Sequence, residues 1–533
     1  MDSRRNALKK IAAALALGTG GLPWDLANAQ GQPKRGGTLA FAISSETPHY
    51  DPHGSDTYAT LHTVAPFYST LLRFNLQKFP EVEGDLAQSW TVAPDLLTYT
   101  FKLTPDVKFH DGTPLTSADV KASYERLRNP PQGVVSNRRA TFADIDTIET
   151  PDPLTVVFRM KNVFASMIEH FASPWNVIYS AKDLAADPVF PRTRINGTGP
   201  FTFIEHVKDR HVTGKKNTSY FKAGLPYLDG FRGVFLLQTP AMLSAIQNGQ
   251  VMGEFRGISP AERDRLVQTM GDKIRIQESS WTLNLLVCFN VDKKPFDDVR
   301  VRRALLLAID RWSGSQGLSR ISTLRSVGGV MRPGSPFATP EAELTKLPGF
   351  SRDIRASREE AKKLLAEAGV PRLKFTLWNR NLAMPYTPAG VFLVDQWKQI
   401  GVEVEHKQSD TPSYLAQMNA GNHDVAIDFS NLFMDDSSLA LTKYLSIGRT
   451  PENRSRSKDP ELDRIYDEHL RERDADKRRT MIRAFEKRLF EQAYQQPLLW
   501  WHRIVPTNKT VMGWPMSPSH NLGQDLSGVW LNT

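Results

Sequence analysis

Residues 86–127 hold the chain to a narrow set of local structures. Leu97, Tyr99, Phe101 and Leu103 alternate with Thr98, Thr100 and Lys102, the period of a strand with one buried face. Val107 and Phe109 continue the alternation, and Asp111-Gly112 supplies a turn. Thr116 followed three residues later by Asp119 predicts a capping box that opens a helix. That helix buries Val120, Tyr124 and Leu127 along one stripe. Strand, turn and helix follow one another without a linker, so the run predicts one continuous structural unit.

The N-terminus carries a different pattern. Arg4, Arg5, Lys9 and Lys10 form a basic head, residues 11–17 a short apolar core and Ala27-Asn28-Ala29 an A-x-A cleavage site, which together predict an export signal over residues 1–30. The apolar core falls far short of the about 20 residues that span a bilayer. Ser3-Arg4-Arg5 with Leu8-Lys9 has the form of a twin-arginine signal, the route for proteins exported already folded, although Ala7 stands where that motif has Phe. General secretion stays open as the other route. No Cys lies near the cleavage point, so the expected product is periplasmic, exported and soluble, with no lipid anchor.

Cys288 is the single cysteine, so an oxidising compartment finds no disulfide framework to close and stability must come from a packed core. The 533 residues are enough for several domains. Residues 1–30 hold four basic and two acidic residues, so without them the formal charge of +9 becomes +7. Basic residues are interspersed with acids, as in Arg471-Glu472-Arg473-Asp474, the pattern of a solvated helix face rather than a nucleic-acid patch.

Strands and helices alternate after residue 30, with no long apolar span and no fixed-period repeat. Ser357 and Glu360 predict a capping box for a helix carrying Ala361, Leu364, Leu365 and Ala368, stopped at Gly369-Val370-Pro371. A strand with Leu373, Phe375 and Leu377 follows, then a helix with Leu393, Trp397 and Ile400, a strand with Val402 and Val404, a helix around 414–418 and a strand over 424–429. This β-α-β-α-β order predicts an α/β sheet with crossover helices. Asp297 is placed to cap a further helix with Val301, Ala304, Leu305 and Ala308 on its buried stripe.

Ser89-Trp90, Tyr99-Thr100-Phe101 and Phe109-His110-Asp111-Gly112, in that order, closely resemble the signature region of family 5 of the extracytoplasmic solute-binding proteins, the peptide and nickel receptors of ABC importers. Gly36-Gly37-Thr38-Leu39, Asn196-Gly197-Thr198-Gly199-Pro200-Phe201, Tyr227-Leu228-Asp229-Gly230, and the run from Pro295-Phe296-Asp297-Asp298-Val299-Arg300 to Ala308-Ile309-Asp310-Arg311 extend the resemblance over nearly the whole chain after residue 30. The resemblance implies a two-lobed α/β periplasmic-binding-protein fold with an inserted additional domain. Lobe one would comprise 31–75, 190–285 and 495–533, the inserted domain 76–189, and lobe two 286–494.

A two-lobed receptor needs polar and aromatic groups converging on its crevice from strand ends. Trp378-Asn379-Arg380 directly follows a predicted strand and offers a stacking face, an amide and a fork for a carboxylate or phosphate. The competing assignment is a core Trp378 and a solvated Arg380. Trp281, Asn284 and Asn290 lie along another predicted strand over 282–289, where alternation puts Trp281 off the face of the two asparagines. By the resemblance, peptide-binding members carry a Trp, and three residues later an Asp that neutralises the peptide α-ammonium, after the strand equivalent to 424–429. Here Ser430 and Phe433 stand at those places. Asp435 or Asp436 is the replacement anchor if the loop shifts, and a solvent-facing acidic pair otherwise.

Other motifs carry less. Asp51-Pro52 between His49 and His53 forbids a shared helical metal-binding face, and Gly197-Thr198-Gly199 followed by Pro200 lacks the third glycine of a dinucleotide fingerprint. No cofactor and no metal are expected. The reading is a periplasmic receptor that closes on a peptide or peptide-like solute and delivers it to an inner-membrane ABC permease with its ATPase subunits, with no nucleic-acid partner. The loss of the ammonium-binding Asp favours a ligand without a free α-amine, such as an opine or a sugar conjugate. The rival is a secreted hydrolase using Asp435 with Asp436 or Asp424 with Asp428, although adjacent residues on a strand point to opposite faces. If the twin-arginine route is used, changing Arg4 and Arg5 together to Lys is predicted to abolish export. Undiminished periplasmic protein in cell fractions would assign the chain to general secretion instead.

Overall fold

The computed structural model describes residues 32–533, so the predicted export signal over 1–30 lies outside the described residues. Three larger sheets organise the chain. The first orders Thr38–Ile43, Gly230–Phe235, His211–Lys216 and Phe201–Val207, with the first two strands parallel and the rest antiparallel. The Gly-Thr-Gly turn that leads into Phe201 passes against the 65–68 turn. A Cβ on Gly197 would lie 2.0 Å from the Phe67 carbonyl oxygen, and one on Gly199 2.4 Å from the Phe67 carbonyl carbon. Only glycine permits that approach, so the two residues serve packing.

The second sheet is antiparallel and orders Ala87–Val92, Thr98–Leu103, Thr155–Met160 and Ile145–Asp152. The alternation seen in the sequence places Tyr99, Phe101 and Leu103 in its core, facing Val120, Tyr124 and Leu127 of the helix Ser117–Arg128. The predicted cap forms: Asp119 Oδ2 accepts the Thr116 backbone N–H at 2.7 Å.

The third sheet has six strands in the order Leu324–Ser326, Gln495–Asn508, Ile274–Phe289, Val425–Asn431, Lys374–Arg380 and Glu403–Ser409. Its last three strands are mutually parallel and are joined through the helices Tyr386–Lys398 and Thr411–Ala420, the expected β-α-β-α-β passage. Val301, Ala304, Leu305, Leu365, Leu393 and Trp397 pack on one face. Two caps differ from expectation. The helix Ile354–Glu367 starts at Asp353, which accepts from Ala356 N at 3.0 Å, and Ser357 lies inside it with its hydroxyl on the Asp353 carbonyl oxygen at 2.8 Å. Likewise Asp298, not Asp297, caps Val299–Leu307 by accepting from Arg300 N at 2.8 Å. In both cases a neighbouring Asp completes the cap at the position where the chain enters the helix.

Ile274–Phe289 and Gln495–Asn508 form a long antiparallel ribbon, paired from Ile274 with Asn508 to Cys288 with Gln495. Near Asn508 it meets the 251–258 segment beside the first sheet, through Gly253 with Thr507 and Ile258 N on Ile504 O. Toward Cys288 it becomes the middle of the third sheet. The expected lobe boundary at 285/286 therefore falls inside a strand.

Asp51 fixes the second-sheet unit to the first. Arg126 Nη2 and Nη1 reach its carboxylate at 2.6 and 3.2 Å, and the Tyr179 hydroxyl donates to it at 2.9 Å. The pair is almost wholly buried, with side chains 3% and 4% exposed. Asp51→Ala leaves the guanidinium without a counter-ion and is expected to cost about 3–5 kcal/mol. A urea midpoint unchanged from wild type would show that water replaces the carboxylate there.

Candidate ligand-binding site

The ribbon loses register between Ser280 and Asn284, and such a break re-aims the side chains next to it. Trp281 lies in the break, its indole N–H donating to His520 Nδ1 at 3.0 Å. Its ring meets Trp501 of the partner strand edge-on with centroids 5.5 Å apart, and Trp501 meets Tyr386 at 6.3 Å. These three rings make a floor that runs from the first-sheet lobe to the third-sheet lobe. The Trp501 Nε1–H is buried and has no hydrogen-bond partner.

At one end of the floor is Arg380, the last residue of Lys374–Arg380 and so at the carboxyl end of a parallel strand, where open α/β sheets bind ligands. Its guanidinium carbon lies 4.3, 5.1 and 5.3 Å from the ring centres of Phe429, Tyr386 and Tyr414. The residue is 7% exposed. Its Nε has no partner, and its one side-chain hydrogen bond is a long 3.5 Å contact to the Tyr386 hydroxyl.

At the other end is Arg256, its guanidinium carbon 4.6 Å from the centre of the Tyr58 ring and 5.6 Å from that of Trp281. Its Nε is also unpartnered. Glu254 does not neutralise it; instead its carboxylate accepts the backbone N–H groups of Arg256 and Gly257 at 2.9 and 2.6 Å, which shapes the loop. Burial raises the Glu254 carboxyl to about 7 against those bonds. Burial also lowers His62 to about 3 and places His520 well below its ordinary value. Both imidazoles are neutral at physiological pH, so Arg256 and Arg380 set the charge of the floor. Burial raises the Tyr386 hydroxyl to about 12, while Arg380 and Arg256 both pull it down.

The acidic candidates are committed elsewhere. Asp435 forms a bidentate pair with Arg332, at 3.3 Å from Nε and 2.5 Å from Nη2, and burial raises its carboxyl in spite of that partner. Asp436 caps Ser437–Thr442, accepts from the Ser438 hydroxyl and lies 3.7 Å from His170 Nε2. Burial alone would raise its carboxyl, but the bonds from His170 and Ser438 hold it well below the usual range. The expected solvent-facing acidic loop is thus buried, because each carboxylate has a partner of its own. Asp428 pairs with Lys443 at 2.7 Å, and Asp424 pairs with Lys293 at 3.3 Å, so neither rival dyad is free.

The Trp378-Asn379-Arg380 cluster divides. Trp378 packs beside Tyr414 and Met418 under the Lys407 ammonium, 4.4 Å from its ring centre. Asn379 is fully buried, donating to Tyr386 O at 2.7 Å and meeting His406 Nε2 at 3.1 Å, so its amide holds the helix start and is not available to a ligand. Only Arg380 reaches the floor. Asn284 is 1% exposed with both amide atoms unpartnered, and its register partner is the buried Ser430. These two lie on the opposite sheet face from Trp281, as alternation requires. Asn290 binds the carbonyls of Gly421 and His423, both at 2.9 Å. Phe433 packs on the core of the second sheet, its carbonyl accepting from the Ser519 hydroxyl at 2.7 Å. Sequence reasoning missed Tyr58, Arg256, Tyr386 and Trp501. Among these, Trp501 follows Leu498, Leu499 and Trp500 in an apolar run with no period to single it out.

Among the described residues no three His, Cys, Asp or Glu side chains are grouped to hold a metal ion, and no helix is long and apolar enough to cross a membrane. Two α/β lobes joined by a ribbon, with a cationic aromatic floor at the joint, define a ligand receptor of the closing, two-lobed class. Residues 81–449 match the family described as bacterial extracellular solute-binding proteins, family 5 (middle), and the chain belongs to that family. It is the solute-binding component of an ABC importer, serving a permease and its ATPase, and members of the family are periplasmic.

The glutathione-binding protein GsiB of Pectobacterium atrosepticum is 29% identical over 390 residues, covering 71% of this chain and 70% of that one. The periplasmic binding protein DppA of Helicobacter pylori, solved with a peptide, matches with a TM-score of 0.78 and 22% identity, over 94% of this chain and 99% of its own. AgaA from A. tumefaciens, solved with agropinic acid, matches with a TM-score of 0.74 and 25% identity, over 93% and 99%.

Asp435→Asn is predicted to strand Arg332 and to lower stability by about 3–5 kcal/mol, measured as the melting temperature, with the affinity of the folded protein for its solute retained. An unchanged melting temperature with lost binding of free-amine peptides would reassign Asp435 as an ammonium anchor.

Proposed function

We propose that this protein is an exported, soluble periplasmic receptor, with no turnover of its own, that binds a small anionic, peptide-like solute lacking a free α-ammonium. The observation that carries this reading is the state of the charges: Arg380 is buried among rings without a carboxylate, while Asp424, Asp428, Asp435 and Asp436 each have a partner. An ammonium brought into this crevice would lose hydration worth several kcal/mol and find no counter-ion. An anion, by contrast, gains a desolvated guanidinium held in place by rings. AgaA, solved with the opine agropinic acid, fits this chemistry, whereas GsiB is named for glutathione, an anionic peptide that keeps a free α-ammonium, so the relatives support the anionic part of the reading and leave the amine to the titration below. Closure of the lobes exchanges solvent for these contacts, and the closed form is the one the permease reads. Engagement of all four carboxylates argues against the hydrolase.

Arg380→Ala is expected to weaken binding about tenfold or more, since a hydrogen bond to a charged group contributes about 1.5–3 kcal/mol. The melting temperature of the unliganded protein should change little. Calorimetric titration with free-amine di- and tripeptides, N-acylated peptides, opines and sugar phosphates tests the ligand class. Micromolar binding of free-amine peptides that disappears on N-acetylation would overturn it.

A further inference from the structure

Most buried arginines of this fold are hydrogen-bonded within the protein. Arg503 donates to the carbonyls of Arg256, Phe255 and Ser517; Arg311 to those of Pro497 and Gly349 and to Gln496; Arg302 to Phe296, Gln492 and Ala493. Arg126 and Arg332 hold carboxylates. These guanidinium groups are satisfied within the protein. Among the described residues three guanidinium groups rest on aromatic faces with Nε unpartnered and no carboxylate within ion-pairing distance: Arg478 over Phe337, outside the floor, and Arg256 and Arg380 at the two ends of the floor. Arg380 is buried and Arg256 half-buried with its Nε out of solvent, so leaving either unpaired costs free energy, and the two sockets share no ring: Tyr58 and Trp281 form one, Tyr386, Tyr414 and Phe429 the other. Between them Trp501 offers a free indole N–H and a ring face.

We infer that the solute is a dianion that joins the two lobes, with one anionic group received by Arg380 and the other by Arg256. This deepens the receptor reading and rests on it. The recognised class is a small molecule with an acidic group at each end, carboxylate or phosphate, and a neutral middle lying over Trp281 and Trp501. A monoanion would leave one guanidinium buried and unpaired in the closed state, so the second charge decides between solutes of similar size. Arg256 is then a specificity-determining residue on the lobe opposite Arg380.

The test uses the mature protein and calorimetry with α,ω-dicarboxylic acids of graded length and N-acetylated dipeptides ending in glutamate, each beside its monomethyl ester. The expected result is a diacid that binds about a hundredfold tighter than its monoester. Arg256→Gln and Arg380→Gln should each reduce diacid affinity tenfold or more, and should leave the melting temperature of the unliganded protein equal or higher, since each removes an unpaired charge. A monoester that binds as well as its diacid, or full diacid affinity in Arg256→Gln, would overturn the inference. Should a monoanion bind in a manner sensitive to Arg380→Gln and indifferent to Arg256→Gln, the dianion falls and the receptor stands. Should no compound bind and native mass spectrometry find no retained small molecule in protein purified without denaturation, both fall.

Discussion

The ribbon of Ile274–Phe289 against Gln495–Asn508 is the constraint on which the rest of the arrangement depends. A continuous antiparallel ladder is stiff, since each strand holds the other's backbone groups. Here it touches the 251–258 segment at one end and forms the centre of the six-stranded sheet at the other. The ladder is interrupted twice, between Ser280 and Asn284 and between Leu285 and Leu286. Trp281 lies in the first interruption and its ring meets that of Trp501 on the partner strand, so the aromatic floor sits where the ladder is irregular.

Several buried carboxylates of this fold are held by a cation. Asp51 has Arg126 and Asp435 has Arg332, each pair joining segments distant in sequence, and Asp428 has Lys443 fifteen residues further on. Removing one member of such a pair exposes the desolvation cost of the other. On the proposed reading the uncompensated guanidinium groups, Arg380 buried and Arg256 half-buried, carry part of that cost and a ligand relieves it. His62 and His520 add no charge to the balance, because burial keeps both imidazoles neutral.

Much of the fold was legible because its elements announce themselves locally. The period-two run Tyr99, Phe101, Leu103 and the Thr116-to-Asp119 cap specify strand and helix without tertiary information, and the 373–429 region alternates cleanly. Caps were read one to four residues off where two acidic or hydroxyl residues compete, as with Asp298 beside Asp297 and Asp353 before Ser357. The site was harder. Arg380 was singled out because it follows a predicted strand, whose last residue it is in the structure, but Asn379 and Trp378 share its segment and not its surroundings. Arg256 follows Phe255 in a loop with no periodic signal, and its meaning comes from Tyr58 and Trp281, which only the folded chain brings near. The buried state of Asp435 depends likewise on Arg332, more than a hundred residues away.

The ring sockets bear on selectivity as well as affinity. A guanidinium over aromatic faces gains about 0.5–2 kcal/mol, more when desolvated, and its planar fork stays oriented before a ligand arrives. Ordering a long side chain during binding costs about 0.5–1.5 kcal/mol, and Arg380 and Arg256 have met much of that cost within the folded protein. A lysine at either place would keep the charge and lose the plane, so Arg and Lys are not equivalent here. On the proposed reading discrimination rests on what is absent: no free carboxylate rewards an ammonium, and a ligand with too few negative groups leaves a guanidinium unpaired. On that reading the receptor selects its solute by the charges left open on the floor, while the two-lobed frame follows from the family fold.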